Sequence, residues 1–357
     1  MTHADITPKP RRGPIVRALL PVLIISAVVA LMIASGIARS RDRLHANRGA
    51  LDQASVILRG YGKAAAGFLA SRQAADGSWG DAAGTMRILL NVGGTGYEGE
   101  RFYRAGLDFV RAEHQEVRAW LRGGARNEAV AAPEPSLETL ALAWLLLGTE
   151  REPPAEIRGV LQRQETPRGL YVHELSRSPA PARDAQVRLS DNVLLLGVLP
   201  ALGMESAALT TSLRSLMAEG APLSASARIA LAHLASVAAD AAGRPAPSLA
   251  ATILASLDAA SLEPLSKTDT ASIAAYVDLR GHQCLRDTDP CNELNAAVAA
   301  LATRRQADGS WAADPAGTAA ETTSLALRAI ATYRRIIEGR SDGTLGGPSP
   351  GAEPRRK

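Results

Sequence analysis

Two stretches of this chain carry nearly the same string. One is Arg72-Gln73-Ala74-Ala75-Asp76-Gly77-Ser78-Trp79; the other is Arg305-Gln306-Ala307-Asp308-Gly309-Ser310-Trp311. A repeat constrains a fold more than local propensity does, because each copy is one supersecondary unit that must bury its apolar face against its neighbours. Each copy follows an Ala/Leu-rich run and precedes a short linker and a second such run. The Asp-Gly pair supplies a turn in which glycine is free to take positive φ, and the tryptophan supplies a large apolar anchor. A weaker copy, Gln164 to Tyr171, keeps the glutamine, the turn glycine (Gly169) and an aromatic residue.

The runs between these turns are helical in character. Ala and Leu are strong helix formers, and the Val/Ile/aromatic alternation of strands is nearly absent. Polar starts followed by apolar helix recur at Thr85, Glu138, Asp191, Ser226, Asp269 and Glu321. Proline-rich stops such as Ala131-Ala132-Pro133-Glu134-Pro135 and Gly243-Arg244-Pro245-Ala246-Pro247 separate them. Each repeat therefore reads as a helical hairpin whose second helix is the more uniformly apolar, which suits an inner layer covered by an outer one. The expected fold is all-α, an α/α toroid of about six helical hairpins over residues 50–338. An open solenoid is the alternative.

The stretch from Lys63 to Trp79 resembles a complete QW repeat of the squalene and oxidosqualene cyclases: basic, small, aromatic, aliphatic, then Gln, Gly and Trp at the repeat's spacing. The copy ending at Trp311 is shorter by one residue between Gln306 and Gly309. The terpenoid cyclase and protein prenyltransferase superfamily, to which such repeats belong, has an α/α toroid fold. The resemblance implies that Gln73, Gly77, Trp79, Gln306, Gly309 and Trp311 are structural, tying successive outer helices together.

The superfamily's two chemistries do not carry over. Of a cyclase D-x-D-D-T-A motif, Ser266-Lys267-Thr268-Asp269-Thr270-Ala271 keeps the last Asp and the Thr-Ala, with Thr268 at the proton-donor position. The chain also has 3 Phe, 6 Tyr and 4 Trp, few aromatics for stabilising a carbocation. Asp287-Thr288-Asp289 reads as a helix cap, with Asp289 at N-cap and Pro290 at N1. A prenyltransferase-like zinc segment would fall at Glu321-Thr322-Thr323-Ser324, where threonine replaces the cysteine ligand and no histidine follows His282. Neither a metal nor a cofactor is expected. What remains is Glu138, Asp191, Asp269 and Glu321, which would gather at one mouth of a closed ring. They are candidate acid/base carboxylates on a glycan or isoprenoid, or helix caps. Tyr171-Val172-His173-Glu174 adds a titratable cluster that reads as surface.

The ends hold the charge. Residues 1–48 carry a net +6 and 339–357 a net +2, so the body is −4 within a chain total of +4. That excludes a basic nucleic-acid groove on the folded part. Residues 1–17 form a short flank. Ala18 to Ala38 is uncharged over 21 residues, long enough for a transmembrane helix and read as an uncleaved signal anchor rather than a cleaved signal peptide. Residues 39–49 read as a juxtamembrane linker and 339–357 as a Gly/Pro/Ser tail without an apolar face. Basic residues flank both sides of the span, so orientation rests on Cys284 and Cys291, either a disulfide in an oxidising compartment or two free thiols. The combined expectation is a single-pass cell-membrane protein with a periplasmic body. That body is a binding or scaffolding module for an apolar or extended ligand or a protein partner, without the superfamily's cyclase or zinc prenyltransferase chemistry; the alternative is a toroid enzyme acting on a glycan or isoprenoid with an atypical carboxylate pair.

Overall fold

The structure is a computed structural model that describes residues 49–121, 135–147, 155–175, 187–219, 223–242, 268–287, 291–313 and 317–342. The chain divides into two compact units, residues 1–53 and 54–357. Of the first, residues 49–53 are described and are helical. The flank, the span at 18–38 and most of the linker lie outside the described residues. Among those that are described, no helix is long and apolar enough to cross a membrane.

The second unit is all-helical where described, with three isolated β-bridges and no strand. Its helices are α1 (54–72), α2 (Ala82–Val92), α3 (Arg101–Leu121), α4 (Leu137–Leu147), α5 (Ala155–Gln164), α6 (Leu189–Val198), α7 (Ala207–Glu219), α8 (Ala225–Ala241), α9 (Thr270–Asp287), α10 (Leu294–Arg304) and α11 (Ala319–Asp342). A 3₁₀ turn, Leu199–Leu202, extends α6. Two boundaries differ from expectation. The α10 helix starts at Leu294, with Glu293 at its N-cap and not Asp289, which lies outside the described residues. The α11 helix continues past Glu338 to Asp342, into the stretch read as tail.

Side-chain caps mark the starts of α2, α8, α9 and α11. Asp81 accepts from the Gly84 amide at 2.6 Å, Ser224 from Ala227 at 3.2 Å, and Asp269 from Ser272 at 2.6 Å. Thr318 and Glu321 form a reciprocal capping box, each side chain accepting from the other's amide. The layers follow from apolarity. In α4 the run Leu140 to Leu145 is buried on every side, whereas α3 and α5 alternate buried and exposed positions. Helices α2, α4, α6, α8, α9 and α11 contact one another in that order, and α11 returns to α2.

Three turns share one construction. In the first, the Ala74 amide donates to Ser78 O and Gly77 to Ala74 O; in the third, Gln306 donates to Ser310 O and Gly309 to Gln306 O. The degenerate copy does the same with Thr166, Leu170 and Gly169. Both tryptophan indoles donate to a carbonyl ten residues back, Trp79 to Leu69 and Trp311 to Leu301. The amide of each turn's aromatic residue is received by a side chain on the next helix: Thr85 for Trp79, Asn192 for Tyr171 and Thr323 for Trp311. Gln73 donates to both Gly77 O and Phe102 O, tying its turn to α3, and Trp79 meets Phe102 edge-on at 6.0 Å. Gln306 acts differently, accepting from Ser310 within its own turn.

The turn glycines are where neighbouring units touch. A Cβ on Gly77 would lie 2.3 Å from Ala105 O of α3, and one on Gly309 would lie 2.5 Å from Ala64 O of α1. The last turn thus seats on the first helix, and Arg305 stacks over Tyr61 of α1 at 4.7 Å. Gly309 and Gly96 share a φ of +91°, but nothing lies within 4 Å of a Cβ on Gly96. Gly96→Ala should therefore cost about 1 kcal/mol through backbone strain alone, and Gly309→Ala about 3 kcal/mol or more through strain plus collision. Urea denaturation of the two variants measures the difference.

Candidate functional site

The α9 helix carries a carboxylate where its surroundings are apolar. Asp278 follows Ile273-Ala274-Ala275-Tyr276-Val277, all buried, and is 1% exposed. A buried carboxylate is tolerable only if paired and hydrogen-bonded. Arg328 Nε of α11 donates to its Oδ2 at 2.8 Å, and Thr332 Oγ1, one turn further along α11, donates to Oδ1 at 2.5 Å. The helices approach closely enough for this because Gly281 faces Thr332; a Cβ there would sit 2.6 Å from Thr332 Cγ2.

Arg328 distributes its other donors widely. Its Nη1 donates to Gly93 O at 2.9 Å beyond the end of α2, and Nη2 to Asp240 Oδ2 of α8 at 3.0 Å. Burial works against its charge, but Asp278 and Asp240 more than offset this and raise its pKa above the ordinary value. Two histidines flank the same carboxylate. His233 of α8 is buried with Nε2 3.2 Å from Asp278 Oδ2, out of line for donation. His282, one turn after Asp278, places Nδ1 2.9 Å from Asp278 O and 3.3 Å from its Oδ1, leaving Nε2 4.0 Å from Asp240.

The electrostatics follow from this packing. Burial alone would raise Asp278, but Arg328 and then the two histidines hold it well below the usual carboxylate range. Burial lowers His233 despite Asp278. For His282 burial also acts downward, yet the bond and charge of Asp278 outweigh it and the pKa is raised.

This network forms one wall of a cavity of about 470 Å³, within the usual range for small-molecule sites. Its polar lining is Tyr103, Asp240, His282, Arg328 and Arg335; its apolar lining includes Leu89 and Leu90 of α2, Leu145 and Leu146 of α4, and Val237 of α8. The residues come from the C-terminal halves of α2, α4, α8 and α9, the start of α3, the glycines that follow α2, and α11. Sequence reasoning passed over Asp278, Arg328, His233 and Asp240. The available signal was an Asp and a His four apart in an apolar helix, and a lone Arg inside Leu325-Ala326-Leu327-Arg328-Ala329-Ile330.

The four carboxylates proposed from sequence lie at helix N-termini, and none is among the residues lining this cavity. Arg87 brings two of them together: its Nε and Nη2 fork onto Glu321 at 2.8 Å and its Nη1 binds Glu138. Asp191 is fully buried, with Oδ2 2.5 Å from His173 Nδ1 and Oδ1 accepting from Ser190. Asp269 caps α9 and accepts from the hydroxyls of Ser226 and Ser272. The His173 segment is less superficial than its polarity suggests, since Tyr171 and Val172 are buried and His173 O caps α4 at the Leu137 amide.

Cys284 and Cys291 form a disulfide, Cα to Cα 6.0 Å, that ties the last turn of α9 to the segment before α10. Glu293 lies beside the two sulfurs, but with those sulfurs bonded to each other no thiolate pair is present to ligate a metal. Comparison with known protein families, with curated proteins and with solved structures finds no match to this chain.

Two outcomes follow from the network. Asp278→Asn removes the buried carboxylate that holds Arg328 Nε, leaving Asp240 as its remaining counter-charge, and should cost about 3 kcal/mol, whereas the double variant Asp278→Leu/Arg328→Met, which removes both charges, should cost less. The folded state binds the His282 proton more tightly than the unfolded chain does. Its contribution is thus complete below about pH 6.5, the ordinary histidine value, and is lost as pH rises through the raised folded value. His282→Gln should therefore lose more stability relative to the native chain at pH 6 than at pH 9, measured by thermal denaturation.

Proposed function

We propose that the body of this chain is an α/α toroid resembling those of the terpenoid cyclase and protein prenyltransferase superfamily, and that it works as a binding or scaffolding module at a membrane. Its ligand occupies the cavity between the C-terminal halves of the inner helices. The cyclase and zinc prenyltransferase chemistries of that superfamily are absent from this reading. Two features support the ring: the contact order that runs from α2 back to α2, and the seating of the Gly309 turn on α1.

The observation that carries the functional reading is the cavity itself. It joins leucines of α2 and α4 and a valine of α8 to a charged wall already fixed by Arg328 and Asp278. A preformed space in which aliphatic side chains meet a few convergent polar groups is a usual form of small-molecule site. The rival reading, hydrolysis by paired carboxylates, needs open space between two acids for a scissile bond. Between Glu138 and Glu321 that space holds Arg87, so geometry favours binding.

Membrane attachment is part of the proposal and rests on Ala18 to Ala38; placement of the body outside the cytoplasm rests on the Cys284–Cys291 disulfide. Reporter fusions after residue 340 test the topology, and activity of a cytoplasm-only reporter overturns it. For the cavity, the probe is the uncharged fluorophore N-phenyl-1-naphthylamine, added to the full chain in nanodiscs. The half-exposed Leu146 lines the cavity, so Leu146→Trp should fill it without unfolding the chain and serves as the membrane-partition baseline. The native chain should enhance emission well above that baseline; equal emission with an unchanged melting temperature rejects the cavity as a binding site.

A further inference from the structure

We propose that the cavity takes a single-chain carboxylate, with Arg335 as the partner of the anionic head and the leucines of α2 and α4 as the wall for its chain. The proposal rests on the cavity reading above and deepens it by naming the ligand class. Its starting point is the arrangement of charge. Arg328 is committed, holding Asp278 through Nε and Asp240 through Nη2. His282, when protonated, faces Asp240 at 4.0 Å and Asp278 at 3.3 Å. Both carboxylates of this wall are thus already met by Arg328, with His282 close to each.

Arg335 is the cation of this wall that stands apart from those pairs. The residue lines the cavity and is exposed to solvent, and Nη2 donates to Gly94 O at 3.2 Å. Among the described residues no carboxylate lies within 4 Å of its guanidinium. One turn of α11 separates it from Thr332, and two turns from Arg328, so it stands at the solvent end of the same wall. The single carbonyl contact occupies part of a fork that otherwise matches a carboxylate in bidentate fashion.

The opposite wall fixes the rest of the ligand. Its aliphatic lining is the half-exposed Leu146 together with Leu89, Leu90, Leu145 and Val237, which are buried. A volume of about 470 Å³ equals roughly fifteen waters at about 30 Å³ each, enough for an eight-carbon chain with its head. The head is a monoanion and not a dianion, because Asp240 is itself in the lining and repels a second negative charge.

The test displaces N-phenyl-1-naphthylamine from the full chain in nanodiscs with octanoate, octyl phosphate or 1-octanol, using Leu146→Trp as baseline. Octanoate should displace the probe at about tenfold lower concentration than octanol, and octyl phosphate should be weaker than octanoate. Arg335→Gln, an exposed change expected to leave the melting temperature unmoved, should bring octanoate to the octanol value while octanol itself is unaffected. Octanol equal to octanoate, an unchanged octanoate value in Arg335→Gln, or octyl phosphate the tightest of the three each overturns the carboxylate assignment while the cavity reading stands. A probe that does not bind above baseline removes the cavity reading, and the carboxylate assignment falls with it.

Discussion

One guanidinium holds four helices in register. Arg328 leaves α11 and reaches Asp278 on α9, Asp240 on α8 and the carbonyl that follows α2. Every one of these partners is more than 80 positions away in sequence except Asp278, which is 50 away. Taking such charges out of water costs several kcal/mol per ion, and only near-complete hydrogen bonding offsets this. A network that satisfied expels any packing in which the four helices shift, because a shift leaves a buried charge unpaired. The cavity inherits its shape from that constraint: its charged wall is the outer face of the same network.

The backbone at this point is permissive for a related reason. Gly281 removes the side chain that would keep α9 from α11, and alanines fill the inner helices where longer residues would hold them apart. Close approach of small residues brings Thr332 and Arg328 within bonding distance of a carboxylate on the neighbouring helix. The turns do the equivalent work between outer helices. Gly77 and Gly309 let backbone meet backbone, and the indole next to each glycine locks the turn to its own preceding helix.

These two kinds of contact were unequally legible in the sequence. The turns are local: Gln, Asp-Gly and Trp sit within eight residues, so their recurrence is visible as a string, and it led to the helical hairpins and to the structural reading of Gln73 and Trp79. The Gln164–Tyr171 copy was legible for the same reason, although Asn192 replaces the threonine that receives the aromatic residue's amide. The network is not local. Asp278, His233 and Arg328 each look like a polar interruption in an apolar helix until the helices are assembled, and no spacing rule links positions 233, 278 and 328. The carboxylates were legible as residue types at helix starts, but not their partners. Arg87, in the middle of Thr85-Met86-Arg87-Ile88-Leu89, decides what Glu138 and Glu321 can do and carries no local mark of that role.

The scarcity of aromatic residues takes on a definite meaning against this geometry. A cavity that stabilises a carbocation needs π-faces around it, and here the aromatic residue in the lining is Tyr103. Trp79 and Trp311 are spent on turns, and Trp144 is buried within α4. The walls are instead aliphatic on one side and ionic on the other, with Arg328 of the ionic side paired to Asp278 and Asp240. Arg335 stands at the solvent end of the ionic side, where its guanidinium donates to Gly94 O. The carboxylates at the helix starts are likewise engaged with neighbouring side chains, Glu138 and Glu321 with Arg87, Asp191 with His173 and Asp269 with Ser226 and Ser272, so the charged groups at both ends of these helices serve to hold neighbouring helices together.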